Sequence, residues 1–263
     1  MKKNWLPAML VCAGLALGGC SSSSESSSTA STTSTTSSES TASTSTSTSE
    51  GVMTYQEYLD ADVDSAVVLE VYVQDVQSWA DNKATIYAAD PDGGYFIYNA
   101  IASEDVYNQL TPGTKIKVSG YKTEWEGEIE VAEGADLEII GGETYVKPAV
   151  DVTQYLGNDA ELINYQNQKV LFKDMTVALG DGTTEVYLYN WDGSGQEGDD
   201  LYFTVTKDDV PYTFTVESSL SDPNSEVYQT VKNLEVGQTV DLEGYLYWYQ
   251  GPNPHITSVT VVQ

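Results

Sequence analysis

An internal repeat limits what this chain can fold into. The pattern Leu-x-x-Gly-x-x-[Ile/Val]-x-[Val/Leu]-x-Gly-Tyr occurs at residues 110–121 and again at residues 234–245, with all six matched positions offset by 124 residues. A stretch that begins with Ser103 or Ser225 and continues with an acid precedes each copy, which is typical of a short helix with a Ser N-cap. Two copies are too few for a solenoid, so the repeat predicts two similar domains in tandem, residues 54–145 and 146–263.

Most of the sequence around the repeat predicts β-strands. Thr54 and Glu57 fit a capping box, which predicts a short first helix. After that helix, β-branched and aromatic residues alternate with polar ones or form short apolar runs between turn residues. The predicted strands of the first half are residues 67–73, 83–89, 95–98, 115–121, 128–131 and 137–140. Those of the second half are residues 170–177, 185–189, 202–206, 212–216 and 256–262, together with the second copy of the repeat.

The order of three strands, a short helix and two strands resembles the OB-fold, a five-stranded Greek-key barrel. The repeated Gly-containing segment resembles the entry to the fourth strand in bacterial extracytoplasmic OB-fold domains. The resemblance covers roughly residues 65–140 and 165–262 and implies an all-β protein of two tandem OB-fold-like barrels with small α content. Domain 2 has one additional strand-like segment, which we assign to an inserted hairpin around residues 207–211. The alternative is a pair of β-sandwich modules, against which the helices before the Gly turns argue.

The N-terminal segment predicts export and lipidation. Lys2 and Lys3 precede an apolar run over residues 5–17, which is too short to span a bilayer, and Leu17-Gly18-Gly19-Cys20 follows. The segment resembles a bacterial lipoprotein signal with its lipobox, which implies cleavage after residue 19 and lipid attachment to Cys20. The alternative is an ordinary signal peptide with a chance Cys. Of residues 21–50, 25 are Ser or Thr, so we expect residues 20–53 to be a lipidated Cys with a disordered linker.

Composition excludes several kinds of catalysis. The chain has no Arg and one His, and Cys12 would leave with the signal, which excludes a Cys nucleophile and a Cys or multi-His zinc site. A Ser-His-Asp triad would need His255, which we interpret as a loop or strand-edge residue, and no Gly-x-Ser-x-Gly elbow is present. We therefore predict a non-enzyme without a cofactor. A carboxylate-based glycan hydrolase remains the catalytic alternative, although 40 acids make chance carboxylate pairs common.

The charge argues against a nucleic-acid ligand. The formal net charge of −29 becomes more negative when residues 1–19, which hold two Lys and no acid, are removed. Phosphate attraction dominates nucleic-acid affinity, so a strongly acidic body repels such a polyanion. OB-folds often bind single strands through a cationic groove with stacked aromatics, and this chain has the aromatics without the charge.

Four aromatic residues are the candidate ligand-binding residues. Trp79 is predicted in the loop between the first two strands and Trp125 in the turn between strands four and five, which flank the usual ligand surface of an OB-fold. Trp248 and Tyr249 occupy the equivalent place in domain 2, where we expect Tyr245, Tyr247 and Tyr249 to share one strand face. Such rings suit a sugar or a protein side chain. The alternative is that the Trp residues close the barrel ends as core residues.

An acidic Gly-rich loop is a weak calcium candidate. Hard cations prefer clustered oxygen ligands on flexible loops, and the loop carries such ligands at Asp192, Glu197, Asp199 and Asp200. It fails the EF-hand pattern because Glu197 stands where Gly belongs, and we interpret it as a solvated turn without a metal.

The sequence as a whole predicts a lipid-anchored, extracytoplasmic binding or display protein with a glycan or a protein as its ligand. The remaining alternatives are the carboxylate-based hydrolase, an accessory subunit of an envelope complex, and an OB-fold nucleic-acid binder, which the charge disfavours.

Overall fold

The computed structural model describes residues 51–180 and 182–262, and these form two closed β-barrels. The predicted capping box is confirmed, with the Thr54 hydroxyl and the Glu57 carboxylate each accepting the other residue's backbone N–H. Ser103 caps the helix before the first Gly turn, as predicted. The elements of barrel 1 are α1 (Tyr55–Asp60), β1 (Ala66–Val76), β2 (Lys83–Ala89), β3 (Gly94–Ile101), α2 (Glu104–Tyr107), β4 (Lys115–Trp125), β5 (Glu128–Val131) and β6 (Asp136–Ile139).

Barrel 1 has OB-fold connectivity. Strand β1 pairs antiparallel with both β2 and β4, and β2 pairs with β3. Strands β5 and β6 together take the place of the fifth strand of the barrel. Each pairs antiparallel with β4 and parallel with β3. The closed circuit leaves a single interior, which is filled by the alternate residues of β1 (Val67, Leu69, Val71 and Val73) and their neighbours on the other strands.

Barrel 2 repeats this connectivity with insertions. Its elements are β7 (Val150–Asp151), 3-10 helices Thr153–Tyr155 and Ile163–Tyr165, α3 (Asp159–Leu162), β8 (Lys169–Ala178), β9 (Tyr187–Tyr189), β10 (Leu201–Lys207), β11 (Val210–Val216), α4 (Glu226–Lys232), β12 (Thr239–Tyr245) and β13 (His255–Val261). Strand β8 pairs with β10 and β12, β10 with β11, β12 with β13, and β13 runs parallel to β11. The tandem OB-fold-like barrels are thus confirmed, and the β-sandwich alternative is wrong.

Two details of the predicted barrel 2 are wrong. The turn at residues 207–211 is the ordinary connection between β10 and β11, and the additional strand is β9, which pairs with β10. Strand β12 ends at Tyr245, so residues 246–249 lie in the long loop before β13 and do not continue the strand. That loop leaves barrel 2 and covers barrel 1.

The repeated glycines occupy tight places in the two barrels. Gly244 lies at an irregularity between β12 and β13, and a Cβ there would overlap the carbonyl oxygen of His255. At Gly120 the register with β1 is regular, and a Cβ would lie 2.8 Å from Cβ of Ala135 and 2.9 Å from Cγ1 of Val131. Gly244 is therefore required where the backbone of the two strands comes close, while Gly120 is required by close side-chain packing.

The two barrels pack against each other as one compact unit. The ring of Tyr87 on β2 stacks on Tyr245 at the end of β12, with ring centroids 4.3 Å apart. A Cβ on Gly94, at the start of β3, would overlap the backbone of Asn167 in barrel 2. The backbone N–H of Ser78 donates to the carbonyl of Ser219 at 2.6 Å. This interface fixes which loops of the two barrels face each other.

Among the described residues, the helices are all too short or too polar to cross a lipid bilayer.

Candidate functional site

A cleft of about 610 Å³ opens where the two barrels meet, and we call it the interbarrel cleft. Barrel 1 contributes residues from β3, β4, β5 and the loop after β1. Barrel 2 contributes residues from β10, β11 and the positions next to them, from the loop between β12 and β13, and from the start of β13. Its lining residues are Gln77, Phe96, Tyr98, Trp125, Glu130, Asp200, Tyr202, Thr215, Glu217, Tyr247, Tyr249, Asn253 and His255.

Aromatic rings from both barrels form the walls of the cleft. Trp125, the last residue of β4, is 58% exposed, Tyr249 in the loop after β12 is 49% exposed, and Tyr98 on β3 is 39% exposed. Tyr247 is held deeper, with its ring 5.3 Å from that of Phe96 and 4.6 Å from that of His255. The supported rings give a rigid surface, and the three exposed rings are available to a ligand.

Glu130 is a buried carboxyl that faces the cleft without a partner. Successive residues of β5 point to opposite sides, which puts Glu130 on the same side of the strand as Glu128. Its side chain makes no hydrogen bond or ion pair with any residue in the described part of the chain, and the residue is 7% exposed. Burial raises the pKa of Glu130 to about 7, because the ionised form loses water without gaining a compensating donor.

Glu217, just after β11, is by contrast held by several donors. The side-chain amide of Gln77 donates to both of its carboxylate oxygens, at 3.0 and 2.9 Å. Nδ1 of His255 lies 3.0 Å from Oε2 of Glu217 and 3.0 Å from the hydroxyl of Tyr87. Burial alone would raise the pKa of Glu217, but the charge of His255 and the hydrogen bonds from His255, Ser219 and Gln77 hold it below its usual range. Glu217 therefore stays ionised beside the cleft.

The cleft is acidic. It is lined by three carboxyl groups, those of Glu130, Asp200 and Glu217. Among its described lining residues, His255 is present but there is no Lys. Asp200 accepts hydrogen bonds from the backbone and hydroxyl of Ser218, at 2.8 and 2.7 Å. A ligand in this cleft meets aromatic faces and hydrogen-bond acceptors, while an anionic ligand would be repelled.

The structure brings two of the four candidate aromatics to the cleft. Trp125 and Tyr249 line it, from opposite barrels. Trp79 lies elsewhere, with its indole N–H donating to the carbonyl of Ala102 at 2.9 Å. Trp248 packs beside Gly127, and its backbone N–H donates to Oε2 of Glu128 at 2.8 Å. Trp79 and Trp248 thus take part in packing within barrel 1 and between the barrels.

Most of the polar side of the cleft carries no signal in the sequence. His255 is the first residue of β13, which agrees with its interpretation as a loop or strand-edge residue. The sequence does not reveal that it is buried and contacts Tyr247 and Glu217. Glu130 and Glu217 are two acids among 40, and nothing nearby in the sequence marks them. The one available signal for Glu130 is that Glu128 and Glu130 alternate within a strand that must close a barrel.

The acidic loop offers no calcium site in the part of the chain that the structure describes, where no group of three or more His, Cys, Asp or Glu residues is arranged to hold a metal ion. Each of the four candidate carboxylates is bound separately. The pairs are Asp192 with the backbone N–H of Ser194, Glu197 with Lys232 and Tyr189, Asp199 with the backbone N–H of Gln196, and Asp200 with Ser218. Cys20, the predicted lipidation site, lies outside the described residues.

Comparisons with known proteins give only distant similarities. No known protein family matches the sequence, and no curated protein matches it. The p204 HINb domain is 12% identical with a TM-score of 0.33, over 77% of this chain and 100% of that domain. A replication protein A heterotrimer bound to single-stranded DNA is 10% identical with a TM-score of 0.32, over 74% of this chain and 48% of that chain.

The asparaginyl-tRNA synthetase of Pyrococcus horikoshii is 14% identical with a TM-score of 0.25. The similarity covers 36% of this chain and only 19% of the synthetase. Similarities at these levels support no statement about ligand or activity. What defines this protein is its own geometry, two OB-fold-like barrels packed around an aromatic, acidic cleft.

Proposed function

We propose that this protein is a lipid-anchored, extracytoplasmic glycan-binding protein whose interbarrel cleft holds the sugar. The observation that carries the proposal is the pairing of exposed aromatic faces with carboxylate acceptors in one cleft between two rigid barrels. The anchor and the location rest on the lipobox-like segment that ends at Cys20, and they are part of the proposal.

The walls of the cleft suit a sugar. Each sugar ring has faces of C–H groups that pack on aromatic rings, and hydroxyl groups at its edge that donate to acceptors. Trp125 and Tyr249 offer the faces, and Glu217 and Asp200 offer carboxylate oxygens as acceptors. Glu217 is held in its ionised form, and hydrogen bonds to an ionised acceptor are stronger than those to a neutral one. Pockets with an apolar wall and a few fixed polar groups are the usual form of a small-molecule site.

Nucleic acid is a weaker candidate for the same cleft. DNA is named with some of the OB-fold-containing structures that this chain resembles, but the likeness is too distant to transfer a ligand. The cleft carries three carboxylates, and the whole chain has a net charge of −29. Since phosphate contacts with Lys and Arg supply most of the affinity of such complexes, a polyanion has nothing to bind here.

Hydrolysis of the glycan is the second candidate function, and one observation favours it. Glu130 and Glu217 line the same cleft with pKa values shifted in opposite directions, a pattern found in carboxylate-based glycosidases. Binding alone is our proposal, because the oxygens of Glu217 are already held by Gln77 and His255, which leaves little freedom for it to attack or to move a proton.

The proposal is tested by binding of the purified full-length protein to a panel of neutral and amino oligosaccharides. Trp125→Ala should weaken binding about two- to tenfold, since one well-placed ring contact contributes roughly 0.5–1.5 kcal/mol. Trp191→Ala is the matched control, because Trp191 is 77% exposed and lines a different, smaller cavity. Equal affinity of wild type and the Trp125 variant would remove the cleft assignment.

The other outcomes separate the alternatives. If no oligosaccharide binds, the glycan proposal is wrong. The result would then favour a protein ligand or a role as a subunit of an envelope complex. Release of shorter sugars that depends on Glu130 would establish the hydrolase. Tight binding of single-stranded DNA by wild type, lost on addition of salt, would establish the nucleic-acid alternative.

A further inference from the structure

We propose that the glycan held in the interbarrel cleft carries a free amine, and that its ammonium group pairs with Glu130 between the exposed aromatic rings. This inference rests on the proposed function and names the class of glycan. It is carried by one unpartnered carboxyl, by its aromatic surroundings and by the charges around it.

Among the described residues, Glu130 is the one cleft carboxyl without an internal partner. Glu217 is bound by Gln77 and His255, and Asp200 is bound by Ser218, whereas Glu130 has no partner among the described residues although it is buried. A buried carboxyl without a donor is costly as an ion, and burial raises the pKa of Glu130 to about 7. A ligand that brings a positive charge to Glu130 removes that cost.

The rings around the cleft favour the same charge. Cations bind over the faces of Trp and Tyr rings, and cages of such rings are the usual receptor for substituted ammonium groups. Tyr98 on β3, Trp125 at the end of β4, and Tyr247 and Tyr249 in the loop before β13 come from three different elements and line the same cleft as Glu130.

Among the described residues, the other titratable groups that face the cleft do not supply a cation to Glu130. They are Glu217 after β11, Asp200 before β10, Tyr202 on β10 and His255 on β13, and Glu128 is the neighbour of Glu130 on β5. His255 is committed to Glu217 and Tyr87. The Glu130 carboxyl therefore has no competing cation from the described residues that line the cleft.

The test compares two sugars that differ only in the amine. The tetramer of β-linked glucosamine and its N-acetylated counterpart are titrated into the full-length protein near pH 7. We expect wild type to bind the glucosamine tetramer about tenfold more tightly. Equal or tighter binding of the N-acetylated tetramer would overturn the amine inference while leaving the glycan proposal intact, whereas failure of every oligosaccharide to bind would overturn both.

Two variants with a control assign the effect to Glu130. Glu130→Gln should remove the preference for the amine and leave the affinity for the N-acetylated tetramer within about twofold, and Glu130→Asp should keep part of the preference. Glu235→Gln, which removes one charge from an exposed loop residue, should change neither. A preference that persists in a folded Glu130→Gln protein would overturn the assignment to this residue.

A trimethylated glucosamine tetramer adds a pH readout, because its charge does not titrate. Glu130 must be ionised to pair with it, so wild-type affinity should rise from about pH 6 to about pH 8, through the pKa of the free carboxyl. In Glu130→Gln the affinity should stay flat over that range. A flat profile in wild type would overturn the proposed ion pair.

Discussion

Glu128 is a buried carboxyl at the contact between the barrels, and Glu128→Gln should stabilise the protein increasingly as the pH rises. Its Oε2 accepts from the backbone N–H of Trp248 at 2.8 Å and from the side chain of Gln166 at 3.2 Å. Two buried oxygens, Oε1 of Glu128 and Oδ1 of Asn167, accept no hydrogen bond from any described residue. A proton on Glu128 that points to Asn167 would satisfy both atoms.

Burial raises the pKa of Glu128 well above its usual range, and the nearby charge of Glu130 raises it further. The hydrogen bonds to Glu128 lower the pKa, but by less than burial raises it. The folded protein therefore keeps a proton that the unfolded chain releases above about pH 4.3. The stabilising contribution of this group is fully present below that pH and is lost as the pH rises towards the folded-state pKa. One retained proton costs about 1.4 kcal/mol of unfolding free energy for each pH unit in that window.

A Gln at position 128 is neutral at every pH and can donate its amide N–H to Asn167 while its oxygen accepts from Trp248. Guanidinium unfolding of both proteins at several pH values measures the difference in unfolding free energy. From about pH 5 upward the difference should move in favour of Glu128→Gln by about 1.4 kcal/mol for each pH unit, until the pH reaches the folded-state pKa of Glu128. Glu124→Gln, at an exposed position near the end of β4, should show no such trend. A difference that is independent of pH would refute the reasoning.

Three further predictions concern the glycines and the anchor. Gly244→Ala should cost about 1–3 kcal/mol or more, and more than Gly120→Ala, because its Cβ meets rigid backbone instead of side-chain atoms; equal unfolding midpoints for the two variants would contradict this. Gly94→Ala should force the barrels apart at Asn167 and so weaken ligand binding in the cleft. The loss of affinity should exceed that of Gly120→Ala when the two variants lose similar unfolding free energy; unchanged affinity would show that the cleft tolerates the shift. Cys20→Ser should release the protein from membranes in detergent phase partitioning, and normal retention of the processed variant would rule out the lipid anchor.

The barrels were predictable because their signals are local and repeated. Alternation along strands such as β1, the Ser and Thr helix caps, and the duplicated Gly segment each report on neighbours within a few residues. The contacts between the barrels are not local: Tyr87, Gly94 and Ser78 of barrel 1 all touch barrel 2, so we expect the two barrels to unfold together.

The rest was hidden because it depends on how the barrels dock. The alternation of Tyr245, Tyr247 and Tyr249 predicted a longer strand, but after Tyr245 the chain turns to cover barrel 1, where Tyr247 packs on Phe96. Burial of Glu130 and the partners of His255 follow from the same contact between residues far apart in sequence. No local pattern encodes such contacts, so Trp125 and Tyr249 could be proposed from their loops while their acidic neighbours could not.

The most direct measurement of the central claim is a crystal structure of the protein grown with the glucosamine tetramer. We predict electron density for a sugar ring in the interbarrel cleft, packed on Trp125 and Tyr249, with its amine within hydrogen-bond distance of Glu130. Density for the sugar on another surface, with the interbarrel cleft left to solvent at a saturating sugar concentration, would contradict the assignment of this cleft as the binding site.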